Sequence, residues 1–151
     1  MLIAETSVKV VVFQLGEEEY ALPVGQVNSI EKWTDITEIP NMPAFVKGMI
    51  NLRGNVMPIL DLRHLFYGTP EQPNQNEQQI IVVSALERKI GFIVDEARDV
   101  IDLPSETWDT LRVPFGEGEK KLAVAKWNGR LIILVDIDDL LKEWMPTDSP
   151  I

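Results

Sequence analysis

The densest group of side chains able to do chemistry is Asp136-Ile137-Asp138-Asp139. Carboxylates packed that closely suit a divalent cation or a phosphoryl acceptor. A calcium loop opening at Asp136 needs glycine at its sixth position and glutamate at its twelfth. Those positions hold Leu141 and Thr147. A phosphoacceptor domain places such acids early, ahead of alternating strands and helices, whereas this cluster lies close to the end of the sequence. Asp61 stands in a matching place before Leu62, Leu65 and Phe66, yet lacks the extra carboxylates. A role common to both aspartates is capping a short helix, and capping is the favoured reading.

His64 is the one histidine, on a predicted helix beside Arg63, with no serine or cysteine nucleophile motif near it. The chain has no cysteine, which excludes disulfides and thiolate metal sites. It has no G-x-S-x-G, no glycine-rich phosphate loop and no paired histidines. The sequence therefore predicts no catalytic residue, no metal ligand and no cofactor. A small acidic β-barrel enzyme using a metal at Asp136 is the remote alternative.

Other residues suggest binding rather than reaction. Arg53 stands at a turn, Asn51-Leu52-Arg53-Gly54, between apolar strands. Its position fits an exposed turn arginine, and equally a guanidinium at a barrel rim that positions a partner. Val24, Val27 and Ile30 recur at helical spacing. They could complete a core or form an apolar groove for a partner helix. Trp33, Trp108, Trp127 and Trp144 fall near predicted rims and ends, where core packing and interface anchoring are both open.

The elements that must hold these residues are mostly short strands. Val8 to Leu15 and Tyr20 to Val24 read as a hairpin about Gly16-Glu17-Glu18-Glu19, with Pro23 marking an edge or bulge. Ala44 to Lys47 reads as a helical turn closed by Gly48. Met49 to Leu52 and Val56 to Leu60 flank the Arg53 turn. Gly68 to Gln79 is polar and proline-bearing, a linker. Gln79 to Ala85 and Lys89 to Val94 form a second hairpin. Val113 to Lys121 reads as a loop. Leu122 to Trp127 and Arg130 to Val135 close on Asn128-Gly129, the strongest turn signal present. Met145 to Ile151 reads as a fraying end, with 146–151 a flexible tail.

These elements repeat. The stretch from Arg53 to Phe66 matches Asn128 to Leu141 at an offset of 75. Upstream, Tyr20-Ala21-Leu22-Pro23-Val24 with Val27 and Ile30 matches Ile90-Gly91-Phe92-Ile93-Val94 with Ala97 and Val100, at an offset of 70. Two echoes in one order mean a duplicated unit, roughly residues 8–67 and 79–142. Many short strands and few short helices predict a mainly β fold of paired small barrels, one per copy. Each copy alone makes a small core, so strand exchange between them is open. Duplication yields two similar surfaces, which suits a connector better than a catalyst.

Bulk properties narrow the partners. The chain has 151 residues, 45% of them hydrophobic, and a formal net charge of −10. No basic stripe is present to displace counterions from phosphates, so nucleic acid is excluded, and an anionic membrane surface would repel the chain. No apolar run approaches the roughly 20 residues a bilayer span needs, and the N-terminus lacks a signal-peptide core. A soluble cytoplasmic protein with protein partners is expected.

The run Pro43-Ala44-Phe45-Val46-Lys47-Gly48-Met49-Ile50-Asn51-Leu52-Arg53-Gly54, continued by Pro58-Ile59-Leu60-Asp61-Leu62-Arg63, resembles the CheW family of bacterial chemotaxis coupling proteins. Gly16-Glu17-Glu18-Glu19-Tyr20, Gly91-Phe92-Ile93-Val94-Asp95 and Leu134-Val135-Asp136-Ile137 support it, and the likeness runs from about Val10 to Leu141. The resemblance implies two SH3-like five-stranded barrels in a single domain over residues 8–145, and no catalysis. It implies two partners: the cytoplasmic tips of methyl-accepting chemoreceptors and the regulatory domain of the histidine kinase CheA. It implies that Val24, Val27, Ile30 and Arg53 face the receptor, with Val11 and Ala97 beside them, and that Trp108 and Phe115 fall near the kinase contact. Ser29 departs from the acidic or larger residue common at its place. A module of the CheV type is the alternative, though the chain's length leaves no room for a receiver domain.

Overall fold

Val10-Val11-Val12-Phe13 and Ile80-Ile81-Val82-Val83 are apolar runs rich in β-branched residues with no polar face, so a strand made from either must be covered on both sides. The structure, a computed structural model, describes residues 7–67, 77–85, 87–115 and 118–144. It is mainly β, with strands β1 (Ser7–Leu15), β2 (Glu18–Pro23), β3 (Val27–Lys32), β4 (Val46–Leu52), β5 (Asn55–Asp61), β6 (Gln79–Ala85), β7 (Arg88–Val94), β8 (Glu96–Pro104), β9 (Trp108–Phe115), β10 (Gly118–Trp127) and β11 (Arg130–Leu134). Two short helices, α1 (Leu62–Tyr67) and α2 (Ile137–Trp144), follow β5 and β11. Most of the expected linker and the tail from Met145 to Ile151 lie outside the described residues.

Two sheets form, in the orders β8-β1-β2-β11-β10-β9 and β3-β6-β7-β5-β4. The first hairpin, β1–β2, thus joins strands of the second copy, and the second hairpin, β6–β7, joins strands of the first. The joins are parallel and share one register, with Leu134 opposite Ala21 and Ile59 opposite Gly91. Those pairs are related by the two offsets seen in the sequence. The ladder between β1 and β8 slips beside Arg98, and that between β6 and β3 slips at the matching Asn28. Strand β9 gives the first sheet its sixth member. Its counterpart in the second sheet is one bridge, Thr37 to Met49.

Side chains alternate between two burial environments. Val10, Val12 and Ala21 join Ile101, Leu103, Ala125 and Ile132 inside one half. Ile80, Val82 and Ile93 join Ile50, Met57 and Ile59 inside the other. Phe13, Leu15, Leu22, Ile81, Val83 and Phe92 point the opposite way, into a cluster shared with Leu62, Ile137 and Leu141. Each fully buried side chain of this size contributes about 1.5–3 kcal/mol. The two-sided runs are therefore strands with one face in a half and the other in this shared cluster.

Both helix starts are capped as the aspartates suggested. Asp61 Oδ1 accepts from the His64 amide at 3.2 Å, and Asp136 Oδ1 accepts from the Asp139 amide at 3.1 Å. Each such cap is worth about 1 kcal/mol. Three local expectations are corrected. Val24–Gln26 is a single 3-10 turn and Val27 begins a strand, so the three-residue spacing of Val24, Val27 and Ile30 is not helical. The helical turn at Ala44 to Lys47 is instead a turn leading into β4, closed by the Val46 amide on Pro43 O at 2.9 Å. The loop expected over Val113 to Lys121 is strand at Val113 to Phe115 and at Gly118 to Lys121, which stay paired out to Phe115 and Gly118. Pro114 is tolerated there because β9 is an edge strand.

One parallel join carries a charged clamp. Arg130 on β11 meets Glu19 on β2 through two bonds, Nε to Oε1 at 2.9 Å and Nη2 to Oε2 at 2.7 Å. The bidentate Arg130 bond holds the Glu19 carboxyl below the usual carboxylate range, against the opposing effect of burial, with charge attraction from Arg130 and Arg98 adding to it. A depressed folded-state pKa stabilises the fold above the unfolded carboxylate value, and that gain disappears as pH falls through the folded value. Wild type should therefore exceed Glu19→Gln in urea midpoint at neutral pH, and the gap should close below about pH 4. A gap that stays constant from neutral to acid would contradict the clamp.

Candidate partner-docking site

The first copy's turn between β4 and β5 forces an unusual backbone. Arg53 has φ 50° and Gly54 φ 88°, both left-handed. The matching Asn128 and Gly129 have φ 50° and 76°. Asparagine tolerates that region well, and arginine occupies it at a cost on the order of 1 kcal/mol. Asn51 Oδ1 supports the turn by accepting from the Gly54 amide at 3.0 Å. A strained, exposed arginine where the sister turn has asparagine points to use of its side chain.

That side chain reaches β3. Arg53 Nη2 donates to Glu31 Oε2 at 2.8 Å, with the arginine side chain 67% exposed and the glutamate 20%. The bond to Arg53, with a second from Ser29, holds the Glu31 carboxyl below the usual range. Along β3 burial alternates, with Val27, Ser29 and Glu31 half-buried and Asn28, Ile30 and Lys32 exposed. Val27 packs against the shared cluster, while Ile30 is 41% exposed. Val24 is half-buried in the 3-10 turn just before. The Glu31–Arg53 bond thus ties the arginine to β3, at the residue that follows exposed Ile30.

The remaining expected residues are placed less openly. Val11 is buried in β1, opposite Leu22 and Val100. Ala97 is half-buried in β8, and its amide donates to Gln79 Oε1 at 2.7 Å, linking the two sheets. Trp108 is buried in the apolar interior of the six-stranded sheet. Phe115 ends β9 opposite Gly118. His64 is half-buried and supplies only its amide to the Asp61 cap. Among the described residues no three histidine, aspartate or glutamate side chains gather as a metal site would require.

Sequence reasoning missed Glu31 altogether. It also gave no sign that matched residues stay exposed: among the described residues the large exposed apolar ones fall into pairs, Ile30 with Val100, Ile39 with Leu111, and Val56 with Leu131. The first and last pairs follow the offsets of 70 and 75. The middle pair follows from Thr37 opposite Met49 and Asp109 opposite Val124. Each half therefore shows a similar apolar surface, and the left-handed turn bears arginine in one half only.

A family profile described as CheW-like domain matches residues 9–144. The chain belongs to the CheW family. It is 35% identical over 143 residues to the chemotaxis protein CheW of Bacillus subtilis (strain 168), covering 91% of this chain and 88% of that one. It is 37% identical over 136 residues to the CheW of Klebsiella aerogenes, covering 86% and 79%. The crystal structure of the scaffolding protein TtCheW from Thermoanaerobacter tengcongensis superposes with a TM-score of 0.78 at 32% identity, covering 90% of this chain and 93% of that one. The likeness to CheW thus spans both sheets. No helix among the described residues is long and apolar enough to cross a membrane.

Proposed function

We propose that this chain is a non-catalytic chemotaxis adaptor that couples transmembrane chemoreceptors to the histidine kinase CheA, working in the cytoplasm at membrane-bound receptor arrays. Residues 8–145 act as one CheW-like unit in this reading. The observation that carries it is Arg53, exposed in a left-handed turn and bonded to Glu31 on β3, in a chain matched by the CheW-like profile. A receptor tip is a helical hairpin, and an apolar edge flanked by a guanidinium suits a helix with apolar and polar anchors on one face. Val24, Val27, Ile30 and Arg53 form the receptor edge, with Val11 and Ala97 supporting it from the other sheet. The kinase contact lies on the other half, near β9, where Trp108 holds the strand from inside and Phe115 marks its far end. Two different surfaces on one small protein permit heterologous contacts that close into rings. Contacts of this transient kind bury less than roughly 1,200 Å², and avidity in an array supplies the strength.

Capture of a receptor-tip fragment and a kinase regulatory domain on immobilised protein tests the reading. Arg53→Ala should weaken the receptor-tip interaction about tenfold and leave the circular dichroism spectrum unchanged. Equal binding by wild type and Arg53→Ala would remove Arg53 from the interface. Failure to capture either partner would end the adaptor reading.

A further inference from the structure

We propose that Asn128-Gly129 is a site of spontaneous covalent modification, where the asparagine side chain cyclises onto the main chain and opens to aspartate and isoaspartate. It is the one Asn-Gly step in the sequence. Glycine matters because it sets no side chain against the attacking amide. The Gly129 nitrogen attacks Asn128 Cγ and a bond forms between them. The Cγ–Nδ2 bond breaks, and ammonia leaves carrying the proton of the Gly129 amide. The product is a five-membered imide, and water then adds to one of its two carbonyl carbons. Opening at Cγ leaves aspartate in an unchanged main chain. Opening at the Asn128 carbonyl carbon leaves isoaspartate, with the main chain rerouted through the side chain and lengthened by a methylene.

The two sister turns differ at the groups that react. In the first, the Gly54 amide is held by Asn51 Oδ1 at 3.0 Å, and arginine precedes it. In the second, Lys126 stands in the place of Asn51 and has no acceptor to offer. Asn128 and Gly129 are both exposed, and a Cβ added at Gly129 would meet nothing within 4 Å. The pairing of β10 with β11 ends at Trp127 opposite Arg130, so both turn residues lie beyond the ladder. Attack requires the Asn128–Gly129 peptide to swing toward the side chain, and only the hairpin tip has to move. Asn41 is the internal comparison. It too is exposed and left-handed, with φ 63°, but Met42 follows it and crowds the amide.

The modification bears on the joint between the copies. The Arg130 guanidinium carbon lies 5.4 Å from the centre of the Trp127 ring, and the guanidinium forks onto Glu19 across the parallel join. A longer main chain cannot keep the two-residue turn that sets Trp127 opposite Arg130. Isoaspartate therefore draws Arg130 off Glu19 and loosens the first hairpin. Aspartate leaves the turn's length unchanged.

The test is to age the full chain in mildly alkaline buffer below its melting point, then digest it and weigh the peptides. A gain of about 1 Da should build up at residue 128, roughly tenfold faster than at residue 41. The aged protein should accept methyl groups from an isoaspartyl methyltransferase, and Asn128→Ser aged alongside should not. The same chain aged in urea should gain mass at residue 128 as well, which shows that the conditions suffice. The methyl-accepting fraction should unfold at lower urea than Asn128→Asp, whose turn keeps its length. An unchanged mass at residue 128 in the folded chain, with the gain seen only in urea, would overturn the proposal. Equal rates at Asn128 and Asn41 would do the same. Equal urea midpoints for the isoaspartyl fraction and Asn128→Asp would overturn its effect on the joint.

Discussion

Gly48→Ala is expected to lower stability by about 3–5 kcal/mol, among the largest losses a single methyl group could cause here. Gly48 has φ 148°, a backbone that residues with a side chain rarely adopt. A Cβ there would sit 2.1 Å from the Thr37 carbonyl oxygen and 2.8 Å from Ile36 Cγ2. The oxygen is main chain and cannot swing aside. It also accepts the Met49 amide at 2.9 Å, while the Thr37 amide donates to Met49 O at 2.9 Å. Relieving the clash would break that bridge and disturb the segment whose Trp33 and Ile36 pack against one interior. Gly54→Ala is the control, since its Cβ would enter open space and only backbone strain remains. It should cost about 1 kcal/mol. Thermal unfolding separates them: Gly48→Ala should melt about 10 °C below wild type, and Gly54→Ala only a few degrees below. Similar midpoints for the two variants would show that Thr37 yields easily.

Asp95→Ala is expected to cost about 3 kcal/mol. Asp95 follows β7, and its Oδ2 accepts from two groups of the other copy. These are Arg63 Nη2 on α1 at 2.6 Å and the Gly16 amide in the first hairpin's turn at 2.6 Å. The Asp95 amide in turn donates to Gln14 O at 3.0 Å. The Arg63 side chain is only 11% exposed, so removing the carboxylate takes a short charged bond away from a largely buried cation. Breaking a buried pair from one side is costly for that reason, even where the intact pair contributes little net. Urea titration of Asp95→Ala, Arg63→Met and the double variant measures it. The double variant should be more stable than Asp95→Ala alone. If the two single losses simply add, the pair is not coupled.

Much of the architecture could be read from the chain because repetition is visible without coordinates. The offsets of 70 and 75 reappear as the registers of two parallel joins. The aspartate before each helix was legible because a cap needs only its immediate neighbours. What failed was local periodicity around irregularities. The extra residue Asn28 shifts β3 by one position, so Val24, Val27 and Ile30 mimic a helix. Gly48, a helix stop by composition, serves a bulge in β4. Strand β8, Glu96 to Pro104, carries four charged residues in nine and gives no clean alternation because it too is bulged. On the docking edge, Arg53 announced itself by its turn. Glu31 did not, because its partner lies 22 residues away and only the fold brings them together.

The traded hairpins have a consequence for anyone who would cut this protein in two. A fragment ending after α1 would carry β1 and β2 without the strands they lean on, and β3 to β5 without β6 and β7. Its one route to a closed core is a second copy of itself, each lending its hairpin to the other in a two-fold dimer. A single-unit ancestor would have faced the same choice. Joining two such genes would have fixed the dimer in one polypeptide and freed its halves to differ, as the turns at Arg53 and Asn128 now do.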